Sequence, residues 1–188
     1  MRIRAIALDV DGVLTDGGFW LLAGQEPAKR FCFADVMGIS LGRKAGLRFA
    51  LVSGEAGAVL DQFAAKVQIA DVYAGCKDKG AALSDFAGRH GLSLDEICFM
   101  GDDVNDLPAM ALAGLAAAPA NAQPAVRQRA ALVTQHGGGD GAVRELIDLL
   151  LSQRLAGDMG RTPIPASANA GGQTAPGVLR NEIAGPPS

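Results

Sequence analysis

The sequence predicts an α/β fold: a Rossmann-like, doubly wound parallel sheet with a β-hairpin inserted after its first strand. Two observations carry that prediction. Short apolar runs alternate with segments of helical character along residues 3–154, and neighbouring parallel strands can be joined only by crossovers, usually helices. Carboxylates also cluster directly after two of the runs, as Asp9-Val10-Asp11-Gly12 and Gly101-Asp102-Asp103-Val104-Asn105-Asp106. The carboxyl ends of parallel strands are where such sheets bind ligands.

The first strand is read over 3–8, where only Arg4 interrupts the apolar run. Phe19-Trp20-Leu21-Leu22, Gly24-Gln25-Glu26 and Lys29-Arg30-Phe31-Cys32-Phe33 then read as a hairpin, two apolar-rich limbs around a glycine-containing turn. Further strands are expected at 48–52, 70–73, 97–100, 114–117 and 131–134, each followed by a helical segment. Ile97-Cys98-Phe99-Met100 carries no charge, as expected of a central strand covered on both faces. Gly46, Gly91 and Gly114 stand where helices should stop. The domain is expected to span 1–154. From Leu155 to Ser188 the chain becomes rich in Gly, Pro and Ala, with five of its nine prolines after Arg161. Such a composition buries too little apolar surface to offset ordering, so 155–188 reads as a flexible tail. Val178-Leu179-Arg180 is its one patch suited to docking.

With 49% hydrophobic and 20% charged residues, the 188-residue chain has the composition of a globular protein. A net charge of -3 and scattered Lys and Arg argue against a nucleic-acid partner. No segment approaches the roughly 18 apolar residues that suggest a bilayer span. The apolar stretch near the start is broken by Asp9 before it reaches the length of a signal-peptide core. A cytoplasmic protein without a membrane partner is therefore expected. Cys32, Cys76 and Cys98, odd in number and without metal-ligand spacing, fit reduced thiols.

The acid clusters point to chemistry. Two carboxylates about 4 Å apart repel by about 4 kcal/mol at an effective dielectric near 20, so a cluster persists only if protonated or bridged by a cation. A hard divalent ion with oxygen ligands answers that need. Helix capping and solvated turns are the bland alternative for single residues such as Asp103. A calcium loop of the EF-hand type would need a Glu at its twelfth position, which is Trp20 when Asp9 is counted as the first. Ser53 and Lys79 also follow strands, and each alone would be a helix cap or a solvated cation. Taken in order, Asp-x-Asp, Ser-Gly, Lys and Gly-Asp-Asp-x-x-Asp would surround one phosphoryl group with nucleophile, hydroxyl, cation and metal.

In these motifs the sequence resembles the haloacid dehalogenase superfamily of phosphohydrolases over nearly all of residues 3–152. The resemblance implies that Asp9 is a nucleophile forming an aspartyl-phosphate and that Asp11 protonates the leaving group and then activates water. It implies Mg2+ held by the Asp9 carboxylate, the Asp11 main-chain carbonyl and Asp102, with Asp106 close behind or joined through water. Ser53 and Lys79 would orient and neutralise the phosphoryl oxygens. Superfamily members acting on small substrates usually carry a cap domain. Only 43 residues separate Asp9 from Ser53 and 25 separate Ser53 from Lys79, so no cap domain is expected.

Capless members with a hairpin after Asp-x-Asp-Gly-Val-Leu-Thr-Asp-Gly resemble the 3-deoxy-D-manno-octulosonate 8-phosphate phosphatase family. Phe33-Ala34-Asp35-Val36-Met37-Gly38-Ile39, Gly75 ahead of Lys79, and Gly137-Gly138-Gly139-Asp140-Gly141-Ala142-Val143-Arg144-Glu145 extend that match. The resemblance implies a phosphorylated 3-deoxy-2-keto sugar acid as substrate, a role in lipopolysaccharide biosynthesis, and a homotetramer whose hairpins pack together. Glu55 departs from the Arg usual after the second-motif Gly. With Lys66, it matches relatives that resemble phosphatases of nine-carbon keto-deoxy sugar acid 9-phosphates. Gly54, Glu55, Lys66 and Asn105 form the expected substrate-binding set. A non-catalytic phosphoacceptor domain is the alternative from another class, but receiver modules place adjacent acids after the first strand and this chain has Asp-x-Asp. His90 is expected at the surface, and His136 is a candidate for the mouth of the site.

Overall fold

A computed structural model describes residues 3–21, 23, 24 and 27–159, the last five by their backbone alone. Six strands, β1 (Ala5–Leu8), β2 (Arg48–Val52), β3 (Asp71–Tyr73), β4 (Ile97–Met100), β5 (Leu115–Ala118) and β6 (Leu132–Val133), form one parallel sheet in the order β3-β2-β1-β4-β5-β6. The helices are α1 (Phe33–Lys44), α2 (Ala58–Val67), α3 (Lys79–His90), α4 (Leu107–Leu112), α5 (Pro124–Arg127) and α6 (Ala142–Met159). The sheet is thus doubly wound, and its strand order reverses between β1 and β4, the position at which such sheets open a ligand crevice. Asp9 and Gly101-Asp102 follow those two strands.

Alternation along the strands builds two unequal cores. Ile6, Leu8, Leu51 and Met100 face a layer holding Ile39, Phe63, Leu146 and Ile147 of α1, α2 and α6. Ala5, Ala7, Ala50 and Phe99 face the other layer, with Leu83, Phe86, Met110 and Val126 of α3, α4 and α5. Small residues on β1 and β2 let the second layer of helices sit close to the sheet.

Helices α1 and α6 are joined by the motif that begins at Phe33. The buried Asp35 carboxylate accepts the main-chain N–H of Arg144 at 2.9 Å and of Gly141 at 3.3 Å, so a side chain of α1 caps the start of α6. At Gly38 an added methyl carbon would lie 2.9 Å from the Arg144 Cα, and the two helices can approach only because glycine stands there. At the far end of α6, Arg154 donates to the Ile3 carbonyl and, at 3.0 Å, to that of Ala45.

The six predicted strands appear within a few residues of their expected bounds. Of the hairpin, the described residues show one antiparallel bridge, in which Trp20 and Ala28 exchange both main-chain hydrogen bonds, at 3.0 and 3.1 Å. Phe33, expected to close its second limb, opens α1 instead, because Asp35 draws that turn onto α6. Gly91 closes α3 in the left-handed conformation. Gly114 is required for another reason: an added methyl carbon would lie 2.1 Å from the Asp95 carbonyl oxygen. α6 runs to Met159, past the expected boundary at 154/155, since no proline interrupts it there and Leu155-Ala156 favour a helix. The rest of the expected tail, 160–188, lies outside the described residues. Among the described residues, no element forms a cap and no helix is long and apolar enough to cross a membrane.

Candidate active site

The site forms where β1 and β4 end. The Asp9 N–H donates to the Met100 carbonyl at 2.9 Å, fixing the end of β1 beside that of β4. The chain then turns through Gly12 at φ +87°, where an added methyl carbon would lie 2.0 Å from an Asp102 carboxylate oxygen. Only a residue without a side chain lets the first loop come so near the second acid cluster. The glycine string closes on this loop from the other side. A methyl carbon at Gly138 would lie 1.9 Å from the Gly12 carbonyl oxygen, and Gly139 donates its N–H to Val13 at 3.1 Å. Asn121, just beyond β5, clamps the two segments: its amide donates to the Gly12 carbonyl at 3.1 Å and accepts from the Gly138 N–H at 2.6 Å.

Below this loop lies a buried charge cluster. Lys79, the first residue of α3, donates to Asp9 Oδ1 at 2.7 Å and to Asp106 Oδ1 at 2.6 Å. Asp106 is buried completely, and its second oxygen accepts the N–H of Asp102 at 2.9 Å and of Asp103 at 3.2 Å. Asp106 therefore shapes the cluster from within, while Asp9 and Asp102 keep oxygens for a ligand. Carboxylate oxygens of Asp9, Asp102 and Asp106 lie within 4.8 Å of one another. Ionised, these three acids carry three negative charges against the single charge of Lys79, a deficit that a divalent cation would balance. The all-oxygen donor set suits a hard ion.

The same imbalance governs protonation. Burial, and then the charge of Asp106, push Asp9 up to about 8 against the partial relief given by Lys79. Burial and Asp106 likewise push Asp102 up to about 6. Burial alone would lower Lys79, but Asp9 and Asp106 hold it above its ordinary value. Without a divalent ion the folded chain keeps protons that the unfolded chain loses from 3.8 upward, so its stability falls as pH rises from about 4 to about 8. We expect the melting temperature of chelator-treated protein to decline across that window, and added Mg2+ to raise it more at about pH 8 than at about pH 5. A pH-independent effect of Mg2+ would count against a site made of these carboxylates.

Beside the cluster opens a cavity of about 370 Å³ whose lining includes Asp11, Lys29, Ser53, Glu55, Phe19 and Phe31. Ser53 is nearly fully buried, and its Oγ accepts the Glu55 N–H at 3.1 Å. Asp11 does not join the buried acids. Its carboxylate pairs with Lys29, Nζ lying 2.6 Å from Oδ1. Gly54 borders the same turn, its carbonyl accepting from Lys77 Nζ at 3.3 Å. Of the four expected substrate contacts, Glu55 lines the cavity, while Gly54, Lys66 and Asn105 do not line it within this chain. Asn105 is exposed on the short turn Val104–Asp106, and Lys66 lies on the exposed side of α2 with Nζ 5.2 Å from the centre of the Phe33 ring. His90 pairs with Asp71 at 2.8 Å and His136 with Glu145 at 2.7 Å, away from the cavity.

Sequence reasoning missed Lys29 and Asn121. Asn121 follows a strand end and so had a positional signal, whereas Lys29 sat in a segment read only as a hairpin limb.

Comparison with known proteins agrees with this geometry. Residues 49–146 match the family model of haloacid dehalogenase-like hydrolases. The chain is 36% identical over 150 residues to 3-deoxy-D-manno-octulosonate 8-phosphate phosphatase of Escherichia coli, covering 80% of each protein. Its fold is similar to the cobalt-bound form of the corresponding phosphatase of Haemophilus influenzae, with a TM-score of 0.80, 32% identity and coverage of 86% of this chain and 94% of that one. It is also similar to the Moraxella catarrhalis phosphatase in complex with magnesium ion, phosphate ion and a KDO molecule, with a TM-score of 0.79, 29% identity and coverage of 84% and 92%. The order of the acids, the strand reversal that brings them together and these likenesses lead to one conclusion: the chain belongs to the haloacid dehalogenase-like hydrolases and is a phosphatase.

Proposed function

We propose that the protein is a Mg2+-dependent phosphatase that hydrolyses a phosphorylated 3-deoxy-2-keto sugar acid, such as 3-deoxy-D-manno-octulosonate 8-phosphate, through a phosphorylated Asp9. The observation that carries this reading is the two-charge deficit around Asp9 at the point of strand reversal, next to a cavity bordered by Asp11 and Ser53. The substrate class follows the name of the relatives. The reading extends to a cytoplasmic role in lipopolysaccharide synthesis.

An oxygen of Asp9 attacks phosphorus, and the bond from phosphorus to the sugar oxygen breaks with its electron pair going to that oxygen. Asp11 gives the oxygen a proton. Water then attacks the phosphorus on Asp9 and passes a proton to Asp11, releasing inorganic phosphate and the Asp9 carboxylate. Lys79 holds Asp9 in place throughout, and the Ser53 hydroxyl donates to a phosphoryl oxygen. A divalent ion held by Asp9, Asp102 and the Asp11 main chain would offset the repulsion between nucleophile and phosphate. Phosphate release from a panel of phosphorylated sugars and eight- and nine-carbon ulosonic acids, with Mg2+ and after chelation, tests the proposal. Failure to hydrolyse any phosphomonoester with Mg2+ would overturn it.

Glu55 favours a second reading of the substrate, a nine-carbon sugar acid 9-phosphate, because it places a hydrogen-bond acceptor on the cavity wall. Losing a polar contact of this kind typically costs about 1–3 kcal/mol. Glu55→Ala should therefore lower kcat/KM for the true sugar-acid phosphate at least about tenfold and barely alter hydrolysis of an aryl phosphate. Equal losses on both would assign Glu55 to the stability of its turn and favour the octulosonate substrate.

The same reading includes a homotetramer with residues 17–33 at the interface. Phe19, Trp20, Leu21, Phe33 and Met37 are each more than half exposed, and apolar surface of that extent calls for a cover. Light scattering should give four times the chain mass of 19.2 kDa. A fully active monomer would sink this assembly.

A further inference from the structure

We infer that Lys29 is a positioning residue for Asp11, holding its carboxylate at the leaving-group side of the site. The inference rests on Asp11 as proton donor, the role proposed above. Lys29 Nζ lies 2.6 Å from Asp11 Oδ1, and both residues border the cavity. The Lys29 side chain is 18% exposed and that of Asp11 34%, so the pair is partly withdrawn from water. Among the described residues it is the only side-chain partner of Asp11. The segment that delivers it is anchored on both sides: Ala28 is paired with Trp20, and Arg30 donates to the Gly139 carbonyl at 3.1 Å. The two ammonium groups of the site thus serve different carboxylates. Lys79 fixes the nucleophile, and Lys29 fixes the acid. With one oxygen of Asp11 tied to Lys29, its side chain is immobilised and the other oxygen remains to face the substrate.

A misplaced proton donor matters in proportion to how badly the leaving group needs a proton. A sugar alkoxide needs one, whereas p-nitrophenolate leaves without it. Lys29→Met, which keeps the length of the side chain and removes its charge, should slow single-turnover release of the sugar about tenfold to a hundredfold and that of p-nitrophenolate by less than about twofold, with substrate binding nearly unchanged. Dephosphorylation of Asp9, in which Asp11 takes the proton of water, is common to both substrates and slows equally. Lys29→Arg should recover most of the loss. In an Asp11→Asn background, Lys29→Met should have no further effect on the sugar-acid phosphate. Thermal melts of each variant keep folding defects separate, and Lys29→Arg supplies a folded reference. Equal slowing of single-turnover release from both substrates, or weaker binding of the sugar-acid phosphate with its release rate unchanged, would overturn the positioning role; the latter would make Lys29 a contact for the substrate itself. Wild-type turnover of the two substrates, measured alongside, tells failure of the phosphatase reading from failure of this one.

Discussion

Replacing Asp9 by Asn is expected to lower phosphatase turnover by on the order of 10⁴-fold or more while leaving the protein at least as stable as the wild type. Asn has the shape of Asp, and its carbonyl oxygen can still accept the hydrogen bond that Lys79 now gives to Asp9 Oδ1 at 2.7 Å. What disappears is the nucleophile, together with one of three mutually repelling carboxylates. In the absence of metal, the variant should therefore melt above the wild type at about pH 8, where folding of the wild type suffers most from ionising Asp9. Steady-state phosphate release and calorimetry on the same preparations check both halves. Near-full activity of Asp9→Asn with Mg2+ present would remove Asp9 from the chemistry.

Lys79→Met should damage both stability and activity. The side chain is 2% exposed and is the cation shared by Asp9 and Asp106. Taking one partner from a buried ion pair typically costs about 3–5 kcal/mol, which for a domain of this size lowers the melting temperature by on the order of 10 °C. Loss of the charge that steadies the nucleophile and the phosphoryl group should reduce kcat by about 10² to 10³. A double variant, Lys79→Met with Asp106→Asn, separates the two effects. It removes one of the two carboxylates left without a cation and the repulsion between them, so part of the stability should return while activity stays low. Recovery of both together would reduce Lys79 to a structural counter-charge.

The strands were legible because each apolar run is bounded by a charged residue or a turn, and the buried site was legible because its members stand in order at strand ends. Asp9, Asp102, Asp106 and Lys79 meet as that order implies. Local patterning served less well between residues 17 and 33. Trp20 pairs with Ala28, just before the limb expected at 29–33, and Asp35 organises the following turn through contacts with Gly141 and Arg144, more than a hundred residues away. Lys29 was hidden for a related reason, since its meaning lies in a partner on another loop. Asn121 binds main-chain atoms of two segments, and main-chain partners leave no mark in the residue types around them. The length of α6 depended on the absence of a proline, which a shift in composition toward Gly and Ala obscured.

The backbone seam between Gly12 and Gly138 fixes a part of the site that cannot evolve, beside a cavity wall that can. Along the seam the chain meets itself atom against atom, and even a methyl group at either glycine would fall within 2.0 Å of an oxygen. Libraries aimed at a new leaving group should spare residues 12–15 and 137–141 and diversify 19–21 and 55–60. In those two stretches side chains such as Phe19, Glu55 and Val59 line the cavity, and they can change without moving the reacting acids.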